Sequence, residues 1–506
     1  MFIYSFVLLI FAPSTIHREK ESLIFMQNIL NISSIQHMIV EQIYTGCLAQ
    51  GAYYIESEGE AVVIDPLREV SPYIKKAEKA GAKIKYVLET HFHADFVSGH
   101  IDLAAKTGAT IVYGPNAVTD FKAHIAKDGE EFKVGKYTFK VLHTPGHTME
   151  STCYLLSDEN GTPKYVFTGD TLFIGDVGRP DLAQKSDVTM EDLAGFLYES
   201  LETKIKTLPD DVIVYPAHGA GSACGKNMSK ETFDTIGHQK QVNYALLAKS
   251  KEAFIAEVTD GLATPPAYFP LNVMMNKKGY DSIDTVMKRG NNPLTPEQFE
   301  LEAEAHDALI LDTRSAAEFY KGFIPNSINI GLQGSFAPWV GEMITDIKQP
   351  ILIIAEEGME EETVMRLSRV GYDFTLGYLQ GGIAAWKAAG KEVDTVNRIA
   401  ADEFATQWNK DKTVYDIRKD GEYAAEHVDE AFHRPLSNIN EWIGFIDKNE
   451  PFYMYCGSGY RSMIAASILK ARGYDNFIEV EGGMGAIAKT DVAKTDFVCQ
   501  SKQLVG

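Results

Sequence analysis

Residues 90–100 read THFHADFVSGH. Three donor-type side chains alternate along this stretch, His91, His93 and Asp95. A further ligand would be expected at the next position, and position 96 is Phe96. The stretch therefore poses its own question: whether the chain holds two metal ions, one, or none.

The segments around it have α/β character. EAVVIDP (60–66) and KIKYVLET (83–90) read as buried strands, and SPYIKKAEKAGA (71–82) between them reads as a helix with Pro in its first turn and Gly near its end. Similar apolar runs recur in ATIVYG, YTFKVLHTPG, KYVFTGD and DVIVYPAHG, each ending where a polar residue follows. Such strand ends are where sites are built in α/β proteins. Four of them carry candidate ligands: His91 in THFHAD, His147 in TPGHT, Asp170 in FTGD and His218 in YPAHG, with successive gaps of 56, 23 and 48 residues. A single histidine would carry little weight. HxHxD at a strand end, followed in order by TPGHT and TGD, points to a metal site.

Bulk properties narrow the setting. The chain has 506 residues, too many for one core. It is 45% hydrophobic and 23% charged, ordinary for globular protein. A net charge of −22 without a long basic run argues against nucleic acid and anionic membrane as partners. The five cysteines, Cys47, Cys153, Cys224, Cys456 and Cys499, are scattered and form no CxxC, which fits a reducing, cytoplasmic setting. The opening MFIYSFVLLIFAP is apolar, yet far shorter than the roughly 20 residues of a spanning helix, and it lacks a positive n-region. No stable membrane insertion is expected. Residues 1–37 are set aside as an over-called start or a leader, since strand-like patterning begins at Met38.

The C-terminal part contains an internal repeat. LILDTRSAAEFYKGFIPNSINI (309–330) matches TVYDIRKDGEYAAEHVDEAFHR (413–434), with Asp312, Arg314 and Glu318 aligned to Asp416, Arg418 and Glu422 at a constant offset of 104. GYDFTLGYLQGGIAAW then matches GYDNFIEVEGGMGAI. Turn-rich linkers near KRGNNPLTPEQ and AAGKEVDTVN divide the chain into 38–290, 295–392 and 396–492. In the second copy, FYMYCGSGYRSMIAASILKARG places Cys456 at a strand end, before a tight loop and a helix. Backbone N–H groups in such a loop form an anion nest that favours thiolate, and Arg461 adds positive charge. The first copy has Ala355 for the cysteine and Glu360 for the arginine. Its acidic loop would repel an anion, so it reads as a structural module.

The order THxHxD, TPGHT, TGD, PAH resembles the metallo-β-lactamase superfamily, which implies an αββα sandwich. Glyoxalase II-type members carry HxHxDH and two metals, and Phe96 stands where the second site's histidine belongs. Two histidines and a carboxylate suit non-heme Fe(II), but a zinc site with a bound water has as many protein ligands, so the donor set leaves both open. THFHADFVSGH together with GDVGRPD and PAHGAGSACGKN resembles the persulfide dioxygenases. That resemblance implies one Fe(II) per chain on His91, His147 and Asp170, with Zn the alternative. It places His93, Asp95 and His218 behind the ligands as supports. His100 and His143 read as structural. Arg179 either binds a carboxylate of the thiol carrier or pins its loop, and Cys224 is either near the metal or a plain buried thiol. The segment TPPAYFPLNVMMNKKGY (264–280) either covers the cleft or is a packing extension.

The cysteine loop with DIRKDGEY resembles the rhodanese family, an α/β fold with a parallel sheet. This implies sulfur carried on Cys456, with Arg461 assisting and Gly457, Ser458, Gly459 and Tyr460 binding substrate. The whole resembles bacterial fusions of a persulfide dioxygenase with rhodanese modules. The expected activity is oxidation of a glutathione, coenzyme A or similar persulfide by O2 to sulfite, coupled to sulfur transfer involving thiosulfate. The alternative is a zinc thioesterase of the glyoxalase II type. A homo-oligomer is expected by the same analogy.

Overall fold

The structure is a computed structural model that describes residues 38–183 and 188–498. The leader expected over residues 1–37, and Cys499, lie outside the described residues.

The N-terminal part is a four-layer αββα sandwich. Its first sheet runs in the order β1 (Ile39–Thr45), β2 (Gln50–Ser57), β3 (Glu60–Ile64), β4 (Lys83–Leu88), β5 (Thr110–Tyr113), β6 (His124–Ile125). The β1–β2 and β2–β3 pairs are antiparallel and the rest parallel. The second sheet contains β7 (Glu131–Val134), β8 (Tyr137–His143), β9 (Thr152–Ser157), β10 (Pro163–Gly169), β11 (Ile213–Pro216) and β12 (Asp234–Thr235) as sequential neighbours. Only β10 and β11 pair in parallel there.

Two-residue alternation sorts the side chains into layers. Tyr53, Ile55, Val62, Ile64 and Leu88 meet Phe139, Val141, Tyr154, Leu156 and Phe167 between the sheets. Their neighbours Ala52, Tyr54, Ala61 and Val63 point outward, onto Tyr73 and Ala77 of the helix Ser71–Ala80. That helix ends as its sequence predicts, with Gly81 in the left-handed conformation (φ 68°). On the far side, Leu155 and Val166 pack against Leu197 of the helix Met190–Ser200 and against Phe254.

Two five-stranded sheets follow, all parallel as expected. The first has the order β13 (Pro293–Leu294), β17 (Thr375–Leu379), β16 (Ile351–Ile354), β14 (Leu309–Asp312), β15 (Ile328–Asn329). The second repeats it as β18 (Arg398–Ile399), β22 (Phe477–Val480), β21 (Phe452–Tyr455), β19 (Thr413–Asp416), β20 (Phe432–His433).

The three parts share one apolar core, which includes Phe96 and Tyr268, Phe336 and Val340, and Met463 and Ile464. The first copy is wedged between the sandwich and the second copy. The Val97 amide donates to the Arg369 carbonyl at 2.7 Å. The Arg369 guanidinium also pairs with Glu69, and buried Arg68 reaches Asp373 at 3.3 Å. On the other flank, the Asn329 amide donates to Ser467 Oγ at 2.9 Å. Among the described residues no helix is long and apolar enough to cross a membrane.

Candidate metal centre and cysteine loop

The candidate ligands sit just past the C-terminal ends of β4, β8, β10 and β11, on one rim of the sandwich. His91, His147 and Asp170 converge there, all buried, with ligand atoms within 4.8 Å of one another. Asp170 Oδ2 lies 3.4 Å from His147 Nε2 and 3.8 Å from His91 Nε2. Gly169 turns the chain into Asp170 with φ 53°, where a Cβ would stand 2.6 Å from Thr90.

Hydrogen bonds behind the ligands assign their tautomers. His147 Nδ1 lies 2.9 Å from the Arg179 carbonyl, which can only accept, so Nδ1 carries the proton. Gly178 allows that approach, because a Cβ there would strike the Asp170 carbonyl at 1.9 Å. Thr90 Oγ1 donates to Asp65 Oδ2 at 2.8 Å, so it accepts from His91 Nδ1 at 3.0 Å. Both Nε2 atoms therefore turn lone pairs toward Asp170 Oδ2. His91 Nε2 and Asp170 Oδ2 are buried without a hydrogen-bond partner. Three converging lone-pair donors with no proton among them fit a cation. Burial, and then His93, hold the His91 imidazole neutral, well below its usual pKa. Burial alone would raise Asp170, but His218 and His91 outweigh it and keep the carboxyl ionised.

The three residues expected to support the ligands lie close behind them. His218 Nδ1 bonds Asp170 Oδ1 at 2.8 Å, and its Nε2 lies 2.8 Å from Asp95 Oδ2. Burial opposes charge on His218, but Asp170 and Asp95 outweigh it, so the imidazolium is held well above its usual range. His93 Nε2 lies 3.1 Å from Asp65 Oδ1, and the Phe96 ring lies over the His93 imidazole, with centroids 4.3 Å apart and planes 31° apart. Phe96 thus fills the position of the expected ligand with a ring packed between His93 and the interdomain core. Cys224 is drawn into the centre, forming a second buried donor group with Asp95 and His218. Burial, then Asp95 and Asp170, raise its thiol well above the usual range.

Of the two readings left open for Arg179, the geometry is that of loop pinning. Its guanidinium bonds Asp181 at 2.6 and 2.7 Å, the Ala223 carbonyl at 3.2 Å and the Ala263 carbonyl. His143 bonds the Met149 carbonyl, and His100 packs among Tyr113, Phe121 and Tyr280, where burial pushes its pKa down to about 3.

Three residues went unnoticed in the sequence. Asp65 directly follows β3 and accepts from both the Thr90 amide and hydroxyl. Glu89 is fully buried beside it, its pKa raised by burial and then by Asp65. Asn276, on the helix Phe269–Lys278, accepts from the Ser98 amide and donates to the His93 and Phe96 carbonyls, each at 2.8 Å. The segment 264–280 therefore clamps the motif loop by its backbone. The strand-end aspartate in VVIDP was a visible signal for Asp65.

In the second copy, Cys456 is buried at the end of β21, and Gly459 caps the helix Tyr460–Ala471 with φ 98°. The Gly459 amide donates to Cys456 Sγ at 3.1 Å, a contact of the nest type. Gly457 is half-buried and Ser458 exposed. Arg461 is held by Glu422 of the helix Asp420–Ala425 through bonds of 2.5 and 2.8 Å, so its charge is partly matched. Tyr460, expected at the substrate, donates its hydroxyl to the Gly331 carbonyl of the first copy at 2.7 Å, a docking contact.

An αββα sandwich with a buried histidine–aspartate cluster at its rim, joined to two parallel α/β modules of which one carries a loop cysteine, defines a metal-dependent enzyme class fused to two α/β modules. Residues 45–218 match the metallo-beta-lactamase superfamily, and residues 295–389 and 400–490 each match the rhodanese-like domain. The chain belongs to the metallo-beta-lactamase superfamily and carries two rhodanese-like domains. It is 33% identical over 202 residues to a probable hydroxyacylglutathione hydrolase of Schizosaccharomyces pombe, covering 39% of this chain and 73% of that one. It is 36% identical over 162 residues to the hydroxyacylglutathione hydrolase of Salmonella arizonae, covering 32% of this chain and 58% of that one. The crystal structure of a metallo-beta-lactamase from Staphylococcus aureus superposes with a TM-score of 0.60 at 32% identity, over 68% of this chain and 99% of that one.

Proposed function

We propose that the chain is a persulfide dioxygenase joined to a sulfurtransferase, with one Fe(II) on His91 Nε2, His147 Nε2 and Asp170 Oδ2. The observation that carries this reading is Phe96, which takes the place of a nitrogen donor and packs on His93. A bound Fe(II) would supply redox chemistry and a template for O2 and the terminal persulfide sulfur. The chain's own residues do the rest. His218 fixes one Asp170 oxygen and leaves the other facing the histidines. Thr90 and the Arg179 carbonyl hold the two imidazoles in the ligating tautomer. Asn276 keeps the motif backbone in place, and the buried rim excludes bulk water. One persulfide, one O2 and one water yield thiol, sulfite and protons. At the other site, Cys456 attacks a sulfane sulfur, the S–S bond breaks, and the leaving thiolate takes the electron pair. The sulfur is then passed to an acceptor such as sulfite.

A second reading is a zinc thioesterase acting on glutathione thioesters. The names of the curated relatives and the Asp95–His218–Cys224 group favour it. Metal analysis with O2 uptake on glutathione persulfide separates the two. Iron with O2 uptake supports the dioxygenase. Zinc with hydrolysis of lactoylglutathione and no O2 uptake refutes it.

A further inference from the structure

The two rhodanese-like copies form an internal comparison. Both keep the same buried ion pair, Arg314 on Asp312 and Arg418 on Asp416, with Nε–Oδ1 distances of 2.9 Å in each. Since the first copy keeps this pair without a cysteine, the pair is scaffold. A different set accompanies the cysteine alone. Ser462 Oγ lies 3.4 Å from Cys456 Sγ and 2.5 Å from Glu479 Oε1, and Arg398 Nε donates to Glu479 Oε2 at 2.7 Å. Cys456, Ser462 and Glu479 are fully buried. Arg398 and Glu479 face each other in register on β18 and β22. In the first copy, the register that pairs Pro293 with Tyr378 puts proline and tyrosine at those two positions. Alignment on Gly358 and Gly459 puts Ala355 and Glu361 at the places of Cys456 and Ser462. All four groups are absent together.

A glutamate on a central strand between Ile478 and Val480 is costly unless both oxygens are matched. Arg398 matches one oxygen, and the other meets only the Ser462 hydroxyl, which also lies against the sulfur. We propose that Ser462 and Glu479, held by Arg398, form a buried proton line to Cys456, through which its proton leaves as the sulfur becomes a nucleophile. This rests on reading Cys456 as the sulfur-transfer residue. Cys456 Sγ–H gives its proton to Ser462 Oγ as Ser462 gives its own to Glu479 Oε1. Sγ bonds to the outer sulfur of the persulfide, and the S–S bond breaks with its electrons on the leaving thiolate. That thiolate is protonated by the reverse path or by water, so no oxidant or reductant is needed. Ser462 touches the reacting sulfur, whereas Glu479 and Arg398 are positioning residues.

The charged groups around Glu479 are few. Arg398 faces it from β18, and Glu481, just past the end of β22, lies 3.7 Å from Arg398 Nη1. On the helix that bears Ser462, Arg461 is paired with Glu422. Burial raises the Glu479 carboxyl above its usual range against the opposing pull of Arg398, which makes it a competent acceptor. Two groups sharing a proton titrate in two macroscopic steps.

The test is the rate at which iodoacetamide alkylates Cys456 in the full chain, read by the mass of its peptide, across about pH 5 to about pH 9. The wild type is expected to rise in two steps. Glu479→Gln and Ser462→Ala are expected to rise in one, with the rate near pH 6 lower by on the order of tenfold, the equivalent of one pK unit. Ser462→Thr keeps the hydroxyl and is expected to keep both steps. Single, superimposable rises in all four proteins would overturn the proposal. If Glu479→Gln melts early, the Ser462→Ala and Ser462→Thr pair decides alone. A wild type with two steps that moves no sulfur from thiosulfate or persulfide would refute the sulfurtransferase reading and leave the proton line standing.

Discussion

Restoring a nitrogen donor at position 96 probes the centre most directly. Phe96 is fully buried and lies 4.3 Å from the His93 ring within the core that joins the sandwich to the first rhodanese-like copy. Phe96→His shrinks a ring in a close-packed site and introduces a polar nitrogen. Complete truncation of a buried phenylalanine typically costs about 3–5 kcal/mol, and an unsatisfied buried polar group about 1–3 kcal/mol. Histidine retains much of the ring, so a loss of about 2–4 kcal/mol is expected in the metal-free protein. Asp95, its neighbour in the chain, already converges with His218 and Cys224. A fourth donor should therefore raise metal content from one ion per chain toward two, and added Zn(II) should recover part of the lost stability. Metal content by mass spectrometry and thermal melting with and without metal read both effects. Wild-type protein already carrying two ions, with Phe96→His no different, would refute the reasoning that the ring abolishes the second site.

Three further outcomes are expected. Cys456→Ser should abolish sulfur transfer and leave O2 uptake intact, and loss of both activities in a folded variant would contradict independent sites. Asn276→Ala removes three buried hydrogen bonds to the motif loop and should lower stability by about 2–4 kcal/mol, at about 1 kcal/mol per bond, with faster metal loss to a chelator. At the sandwich–rhodanese contact, burial outweighs Arg68 and raises Asp373 to about 6 from 3.8. The folded state then holds this proton more tightly than the unfolded chain, so stability falls as pH rises from about 4 to about 6 and is flat above. Asp373→Asn should flatten that slope by up to about 3 kcal/mol, measured as the change in urea midpoint between the two ends of the window.

What the sequence made legible was local. HxHxD, TPGHT and TGD stand at strand ends, and the strands around them announce themselves by apolar runs, so the candidate donors that the fold gathers at one rim could be picked out from the sequence. The repeat exposed the altered first copy because Ala355 and Glu360 fall where Cys456 and Arg461 stand. Partners from distant segments stayed hidden. Asn276 lies on a helix of unremarkable composition and meets His93 only through the tertiary fold. The Arg461–Glu422 pair joins the helix Tyr460–Ala471 to the separate short helix Asp420–Ala425, so an arginine that reads as free charge is half-matched. Tyr460 looks like a loop residue until Gly331 of the other copy is placed against it. Glu479 is a charge inside FIEV that passed unread, because its companion Arg398 sits 81 residues earlier.

The wedge position of the first copy gives it a task that needs no cysteine. Its loop at Glu356, Glu357 and Gly358, in the place of the cysteine loop, is exposed. Its opposite end is not, because the Arg369 carbonyl receives the amide of the residue that follows Phe96. The module's contribution is then mechanical, a strut whose Arg369 end steadies the loop that carries His91 and Asp95.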